Sequence, residues 1–232
     1  MKINILAIIP AKSNSSGLKG KNLKKLNQKY LFEYPIAAAL RSKYIKKNVA
    51  VTSDSSKILN LSEKLGVRFI CKRSKKLSNK NSKISDAIYH LLKKINYEKY
   101  GFNAFILLEP TSPLTNAKII DFAIKKYIQN YPNLKSFVSL GLNEKFNVNN
   151  LLKLRGNKIL PLYDQKLEND TLRQKYQKNY FMDGSFYISE INFFIKHKGF
   201  LSNKTGGIVL KKKYNFEIDD ELDFKIFKNV LI

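Results

Sequence analysis

Apolar runs of strand length alternate with longer segments of helical period, and this rhythm limits the fold more than any other feature of the chain. Residues 3–9, 48–52, 67–71, 103–108 and 136–140 are the strand-length runs. Residues 33–44, 53–66, 85–95 and 116–127 carry their apolar side chains at three- and four-residue intervals, as a half-buried helix does. Ile88, Leu91, Leu92 and Ile95 share one face of the third of these, and Ile119, Ile120, Ala123, Ile124 and Tyr127 one face of the fourth. Residues 53–66 open on a Ser or Asp of N-cap type and close on Gly66. The run 103–108 is apolar throughout, as expected of a strand covered on both faces. Such βα alternation predicts an α/β fold with a mostly parallel open sheet and helices on both faces. The rhythm breaks near Gly141, where residues 143–180 are polar and weakly periodic, an excursion with a role of its own such as a dimer arm. It resumes with a strand at 184–189, a helix at 190–197, strands at 207–210 and 216–218, and a last helix at 220–231. There is no internal repeat.

A chain of 232 residues with 44% hydrophobic residues builds one medium domain with a sizeable core. Its apolar runs fall far short of the about 20 residues that span a bilayer. The opening MKINILAIIP is a first strand rather than a signal peptide, because its apolar stretch is brief and no small-x-small cleavage site follows. The single cysteine, Cys71, excludes an internal disulfide framework and suits a reducing cytoplasm. Lys and Arg number 43 against 18 Asp and Glu, a net charge of +25. The basic residues are spread along the chain and are not interleaved with stacking aromatics. This describes a generally basic surface, with nucleic-acid binding as the rival reading that rests on charge alone. His90 and His197 sit in helical segments without partner motifs and are structural in this reading.

Four segments could carry chemistry. IIPAKSNSSGLKGKNL, residues 8–23, follows the first strand with two glycines, Gly17 and Gly20, and three lysines, Lys12, Lys19 and Lys21. Ligands of open α/β sheets bind beyond the carboxyl ends of the strands, where a glycine-rich loop turns its N–H groups toward phosphate oxygens. Lys12 and Lys21 would offset charge on a leaving pyrophosphate. The alternative is a basic surface loop. LLEPTSPL, residues 107–114, ends the most buried strand, and its two prolines stiffen a loop that carries Glu109, Thr111 and Ser112. FEIDDELDF, residues 216–224, places Glu217 and Asp219 one pleat apart on a strand end, a pair of hard oxygen donors suited to Mg²⁺. Its alternative is an acidic N-cap and first turn on the last helix, which Asp220, Glu221 and the helix dipole explain, and Asp223 is structural or supports the site from behind. Ser53–Asp54 and Arg73 form a weaker set at the same edge of the sheet.

Taken in order, IIPAKSNSSGLKGKNL, VTSDSSKI, LLEPTSPL, MDGSFYI and EIDDELDF resemble the acylneuraminate cytidylyltransferases, the CMP-sialic acid and CMP-nonulosonate synthetases. The resemblance covers residues 3–230. It implies a Rossmann-like fold of the nucleotide-diphospho-sugar transferase type, built as a single cytidylyltransferase domain over 1–232, with residues 143–180 as an arm for dimerisation and the sugar site. It implies that CTP and a sialic-acid-like sugar give a CMP-sugar and pyrophosphate with Mg²⁺, in a cytoplasmic homodimer without nucleic-acid or membrane partners. Through it the loop from Ala11 to Asn22, with Ser13 and Gly17, cradles CTP, Lys12 and Lys21 meet its phosphates, and Arg73 and Ser82 help hold the nucleotide. Glu109, Thr111, Ser112, Asp183, Gly184 and Arg173 fall on the sugar side, and Asp219 with Glu217 holds the metal. Lys12, Lys21 and Asp219 are the catalytic set. The chain departs from the family at Lys12, usually Arg, at Ser16, usually Lys, near Asn79, usually Asp, at Glu109, usually Gln, at Thr115, usually Arg, at Asp183, usually Asn, and at Glu217, usually Asp. The rival functions are activation of another acidic sugar, such as 3-deoxy-manno-octulosonic acid, and a catalytically weakened nucleotide-binding paralogue.

Overall fold

The structure is a computed structural model and describes residues 3–14, 17–143, 151–162 and 178–230. Its strands are β1 (Ile5–Pro10), β2 (Lys25–Leu26), β3 (Lys29–Tyr30), β4 (Val49–Ser53), β5 (Phe69–Lys72), β6 (Ala104–Leu108), β7 (Ser136–Asn143), β8 (Leu152–Arg155), β9 (Lys158–Pro161), β10 (Asn179–Glu190) and β11 (Thr205–Val209). Its helices are α1 (Glu33–Arg41), α2 (Ser56–Lys64), α3 (Ile84–Ile95), α4 (Ala117–Asn130), α5 (Ile191–His197) and α6 (Glu221–Val230). Seven strands form one sheet in the order β11-β7-β10-β6-β1-β4-β5. All neighbouring strands are parallel except β10, which runs antiparallel to both β6 and β7.

Residue alternation within the central strands builds both layers. Ile5, Ala7 and Ile9 of β1 and Ala104, Ile106 and Leu108 of β6 pack on the face covered by α1, α2 and α4. Leu6, Ile8, Phe105 and Leu107 pack on the opposite face against Ile88, Leu91 and Leu92 of α3 and Phe194 of α5. The side-chain period of two thus supplies each layer, and both faces stay dry. The chain winds from β1 outward through β4 to β5, then returns to place β6 on the other side of β1. That reversal leaves a crevice at the carboxyl ends of β1 and β6.

The structure departs from several of the sequence expectations. The strand expected at 216–218 is absent; that segment carries no sheet pairing among the described residues and is held by single contacts, Ile218 N donating to Thr111 O at 2.9 Å. The strand expected at 184–189 begins at Asn179 instead, because its first residues continue the ladder with the end of β7, Asn179 opposite Asn143. Helix α1 ends at Arg41 rather than 44, since Ser42 turns extended and its Oγ donates to Asp121 of α4 at 2.6 Å. Within the expected excursion the described residues contain an exposed two-stranded ribbon, β8 paired with β9; residues 144–150 and 163–177 lie outside the described residues. Among the described residues no helix is long and apolar enough to cross a membrane.

Candidate active site

A cleft of about 330 Å³ opens at the crevice between β1 and β6. The loop after β1 reaches it in a fixed shape. Ser13 donates through its backbone N to Asp54 Oδ1 at 2.8 Å and through its Oγ to Oδ2 at 2.5 Å, so the loop is pinned to the end of β4. Burial pushes the Asp54 carboxyl up, but the Ser13 hydrogen bonds and the Arg73 charge outweigh it and hold the group below its ordinary value. The cap of α2 is Ser55, whose side chain accepts from Ile58 N, and Asp54 is thereby free for the loop. Asn22 is buried and donates its Nδ2 to Lys12 O at 2.7 Å, closing the loop on itself, while its Oδ1 has no hydrogen-bond partner.

The C-terminal segment forms the facing wall. Lys21 Nζ lies 3.3 Å from both Ile218 O and Asp219 Oδ1. A Cβ on Gly17 would overlap the carbonyl oxygen of Asp219, so only glycine lets the loop lie this close to the segment. Lys24 pairs with Glu221 at 2.7 Å. Beneath these contacts Leu18, Leu26 and Leu31 bury against Ile218, Phe224 and Phe227 in a small core of their own. The last helix opens with a reciprocal capping box: Asp220 Oδ1 accepts from Asp223 N at 2.9 Å, and Asp223 Oδ2 accepts from Asp220 N at 3.2 Å. Asp223 Oδ2 also takes the N–H of Asp219 at 2.9 Å, which fixes that backbone while its carboxylate stays solvent-exposed.

The cleft brings together Lys12, Lys21, Asn22, Arg73, Ser82, Glu109, Thr111, Gly184, Glu217 and Asp219 of the sequence-predicted residues. Ala11, Ser13, Gly17, Ser112 and Asp183 are not among the residues that line it. Ala11 is buried and donates its N–H to Thr52 O at 3.0 Å, and Ser112 is buried with its Oγ unpartnered. Asp183 is buried and fully engaged, with Oδ1 accepting from Ser185 N at 3.1 Å and Oδ2 from Asn215 Nδ2 at 2.6 Å. Its position fixes the turn at Gly184, whose φ of +70° favours glycine and whose missing Cβ leaves the space that the Glu217 carboxylate fills. Arg173 lies outside the described residues. Pro110, one of the two loop prolines, also lines it, and Pro10, Leu77, Lys83, Ile84 and Tyr187 complete the lining without having been singled out from sequence. Tyr187 was legible only as an apolar strand residue, and Lys83 only as one lysine among many.

The electrostatics of the cleft are divided. Burial, and then the Glu217 charge, push the Glu109 carboxyl up to about 7 against the pull of Lys21, Arg73 and Lys12. Burial and the charges of Asp219 and Asp183 push Glu217 up to about 7 as well. Burial, with Glu109, Glu217 and Asp183 nearby, pushes the Tyr187 hydroxyl up to about 12. Burial also draws the Arg73 guanidinium below its ordinary value, although Asp54 and Glu109 oppose it. A carboxyl raised by the charge of its neighbours, as Glu217 is by Asp219, is relieved by a cation, and both side chains are oxygen donors of the kind Mg²⁺ takes. Among the described residues no group of three or more His, Cys, Asp or Glu side chains is placed to hold a metal, so a cation here would need substrate oxygens and water beside the protein's carboxylates. Mg²⁺ commonly binds through one or two carboxylates with substrate phosphates and water filling the remaining positions, and this pair fits that habit.

The crevice at the switch point of this mostly parallel sheet, lined by lysines and carboxylates, is where a Rossmann-like fold binds its ligand, and the family match makes the chain a nucleotidyltransferase. The chain belongs to the cytidylyltransferase family, which matches residues 6–221. It is 32% identical over 224 residues to the post-translational flagellin modification protein B of Campylobacter coli, covering 96% of this chain and 92% of that one. It is 31% identical over 224 residues to the CMP-N,N'-diacetyllegionaminic acid synthase of Campylobacter jejuni, with the same coverage, 96% and 92%. In fold it resembles the solved CMP:2-keto-3-deoxy-manno-octonic acid synthetase complexed with CTP, at a TM-score of 0.67, 14% identity and 98% coverage of both chains.

Proposed function

We propose that the protein activates an acidic nonulosonic sugar with CTP. The anomeric hydroxyl oxygen of the sugar attacks the α-phosphorus in line, a new P–O bond forms, and the bond to the β-phosphate oxygen breaks. CMP-sugar and pyrophosphate are the products, and the hydroxyl proton is lost to solvent or a base. The observation that carries this reading is the division of charge in one cleft: Lys12 and Lys21 on the loop after β1, Glu217 and Asp219 on the segment that loop grips. Relatives named CMP-N,N'-diacetyllegionaminic acid synthase and N-acylneuraminate cytidylyltransferase support the sugar class.

In this proposal Lys12 and Lys21 meet the phosphates and hold the charge of the leaving pyrophosphate, where fixed cations in a partly dry site are most effective. Asn22 offers its unpartnered Oδ1 to the base or ribose, and Arg73 and Ser82 face the same nucleotide. Glu109, Thr111 and Gly184 border the sugar, Ser112 and Arg173 are counted to that side, and Asp183 serves it by bracing the Gly184 turn. Glu217 and Asp219 would hold Mg²⁺, which when bound offsets phosphate charge. The protein's own contribution is positioning and charge, as in other phosphoryl transfers.

The domain is a single one over 1–232, with residues 143–180 as an arm toward a second copy. Leu154 at 74% exposure, Ile159, Tyr180, Phe181 and Met182 are apolar and exposed on or beside that arm, which supports a homodimer. Light scattering would show Leu154→Asp shifting the dimer to monomer. The proposed partners are small molecules, without a nucleic-acid or membrane role, and both CTP and the lone Cys71 thiol suit the cytoplasm. The test of function is pyrophosphate release with CTP, Mg²⁺ and a panel of nonulosonic acids plus 3-deoxy-manno-octulosonic acid. Release with a nonulosonic acid is expected. Release with the octulosonic acid alone would replace the sugar class, and CTP binding without any release would leave a nucleotide-binding paralogue.

A further inference from the structure

One wall of the cleft carries positive groups and no acid. It runs from Arg73, just after β5, through Leu77 and Ser82 to Lys83 and Ile84 at the start of α3. Every carboxylate lining the cleft, Glu109, Glu217 and Asp219, comes from the end of β6 or the C-terminal segment opposite. Arg73 is 5% exposed, and its Nε has no hydrogen-bond partner. A buried guanidinium nitrogen left without an acceptor is costly, and it points to an acceptor that arrives with a ligand.

Lys83 stands at the N-cap of α3 with extended backbone, φ −75° and ψ 140°, and makes no side-chain cap. The turn before it is rigid. Asn79 Oδ1 accepts from Asn81 N at 2.9 Å, Asn79 O accepts from Ser82 Oγ at 2.7 Å, and Asn79 Nδ2 donates to Lys76 O at 3.0 Å. Ser82 therefore spends its hydroxyl proton inside the turn, and the donors this wall offers the cleft are the unpartnered Arg73 Nε, the Lys83 ammonium and the N–H groups that open α3. The positive end of the helix dipole adds to the same field. The acid in the first turn of α3, Asp86, lies outside the cleft lining.

We propose that Lys83 is a positioning residue that pairs with an anionic oxygen of the bound substrate, a phosphate or a carboxylate, at the mouth of the cleft. The inference rests on the cleft being the substrate site. It adds a cation from the start of α3 to those that the loop after β1 supplies to the same cleft, Lys12 and Lys21.

The test compares wild type with Lys83→Ala, Lys83→Gln and Lys83→Arg in steady-state kinetics and in direct titration with CTP and with inorganic tripolyphosphate. Loss of one exposed charge contact of about 1 kcal/mol weakens binding about fivefold. Lys83→Ala and Lys83→Gln are expected to raise KM for one anionic substrate by about that factor with kcat little changed and a shallower salt dependence, and Lys83→Arg to restore it. Weaker binding of CTP and tripolyphosphate assigns the contact to phosphate. A rise in KM for the sugar acid alone assigns it to the carboxylate. Unchanged constants in the Ala and Gln variants, equal loss in the Arg variant, or no binding of either nucleotide or tripolyphosphate to wild type would overturn the proposal. Tripolyphosphate binding that still depends on Lys83 in a protein releasing no pyrophosphate with any sugar would instead sink the catalytic reading and leave this inference standing.

Discussion

Replacing Glu109 by Gln should make the protein more stable, and the gain should grow with pH. Glu109 sits at the floor of the cleft with its carboxyl pushed up to about 7 from an ordinary 4.5. A carboxyl raised on folding binds its proton more tightly in the folded state, so the folded state loses ground as pH climbs from the lower value to the higher. Below 4.5 both states are protonated and Glu109 contributes nothing; above 7 the penalty is complete. At 1.36 kcal/mol for each pKa unit the full penalty is about 3 kcal/mol, with about 1 kcal/mol of it present by pH 5. Gln keeps the shape and a hydrogen-bonding head without the charge. The stability difference between variant and wild type should therefore widen by about 2 kcal/mol between pH 5 and pH 8, a Tm gain of about 4–8 °C for a chain of this size. Thermal and urea melts with EDTA present would measure it, because a bound divalent cation would offset the same repulsion. A difference that does not vary with pH would refute the burial and Glu217 repulsion as the source. A loss of stability growing toward pH 8 would show that Lys12, Lys21 and Arg73 hold Glu109 ionised.

Other substitutions test the cleft's construction separately from its chemistry. Asp219→Ala removes an exposed carboxylate and should abolish pyrophosphate release while the melting curve stays in place; retained turnover with unchanged Mg²⁺ dependence would contradict its metal role. Gly184→Ala forces a side chain into left-handed backbone and into the Glu217 carboxylate, which should lower Tm by a few degrees for about 1–3 kcal/mol of strain and cut turnover at least tenfold. Preserved activity in that variant would mean that Glu217 can leave its place without consequence. Asp223→Ala breaks the capping box of α6 and should lower unfolding free energy by about 1 kcal/mol in urea titration, and an unchanged midpoint would remove the cap from the account.

The strands and the helices of the α/β frame were legible because each leaves a local period. Ile5, Ala7 and Ile9 alternate with Leu6 and Ile8 between the two layers, and the helix stripes need only three- and four-residue spacing. The antiparallel direction of β10 left no such trace, since its pairing with the end of β7 joins residues far apart in the chain. The segment 216–218 misled for the opposite reason. Phe216, Glu217 and Ile218 alternate like a strand, yet their partners are the loop residues Thr111 and Lys21 and not a neighbouring strand. Asp183 showed the limit of residue type as a guide, because a carboxylate beside the site proved to be a buried brace for Asn215 and the Gly184 turn.

The cleft itself is a product of long-range closure, and that explains why its parts were readable while its geometry was not. Lys21 and Asp219 are 198 positions apart and meet at 3.3 Å. No local period encodes such a meeting. What brings it about is packing: Leu18, on the loop, buries beside Ile218, Phe224 and Phe227, and Gly17 yields the room for the Asp219 backbone. Exposed ion pairs such as Lys24–Glu221 contribute roughly 0–1 kcal/mol, whereas burying one leucine side chain contributes about 1.5–3 kcal/mol. The apolar contacts therefore set the closure, and the charges select its register. It follows that the loop and the C-terminal segment order each other, so that a lesion in the small Leu18–Phe224 core disturbs the lysines and the carboxylates of the cleft together, although it touches neither.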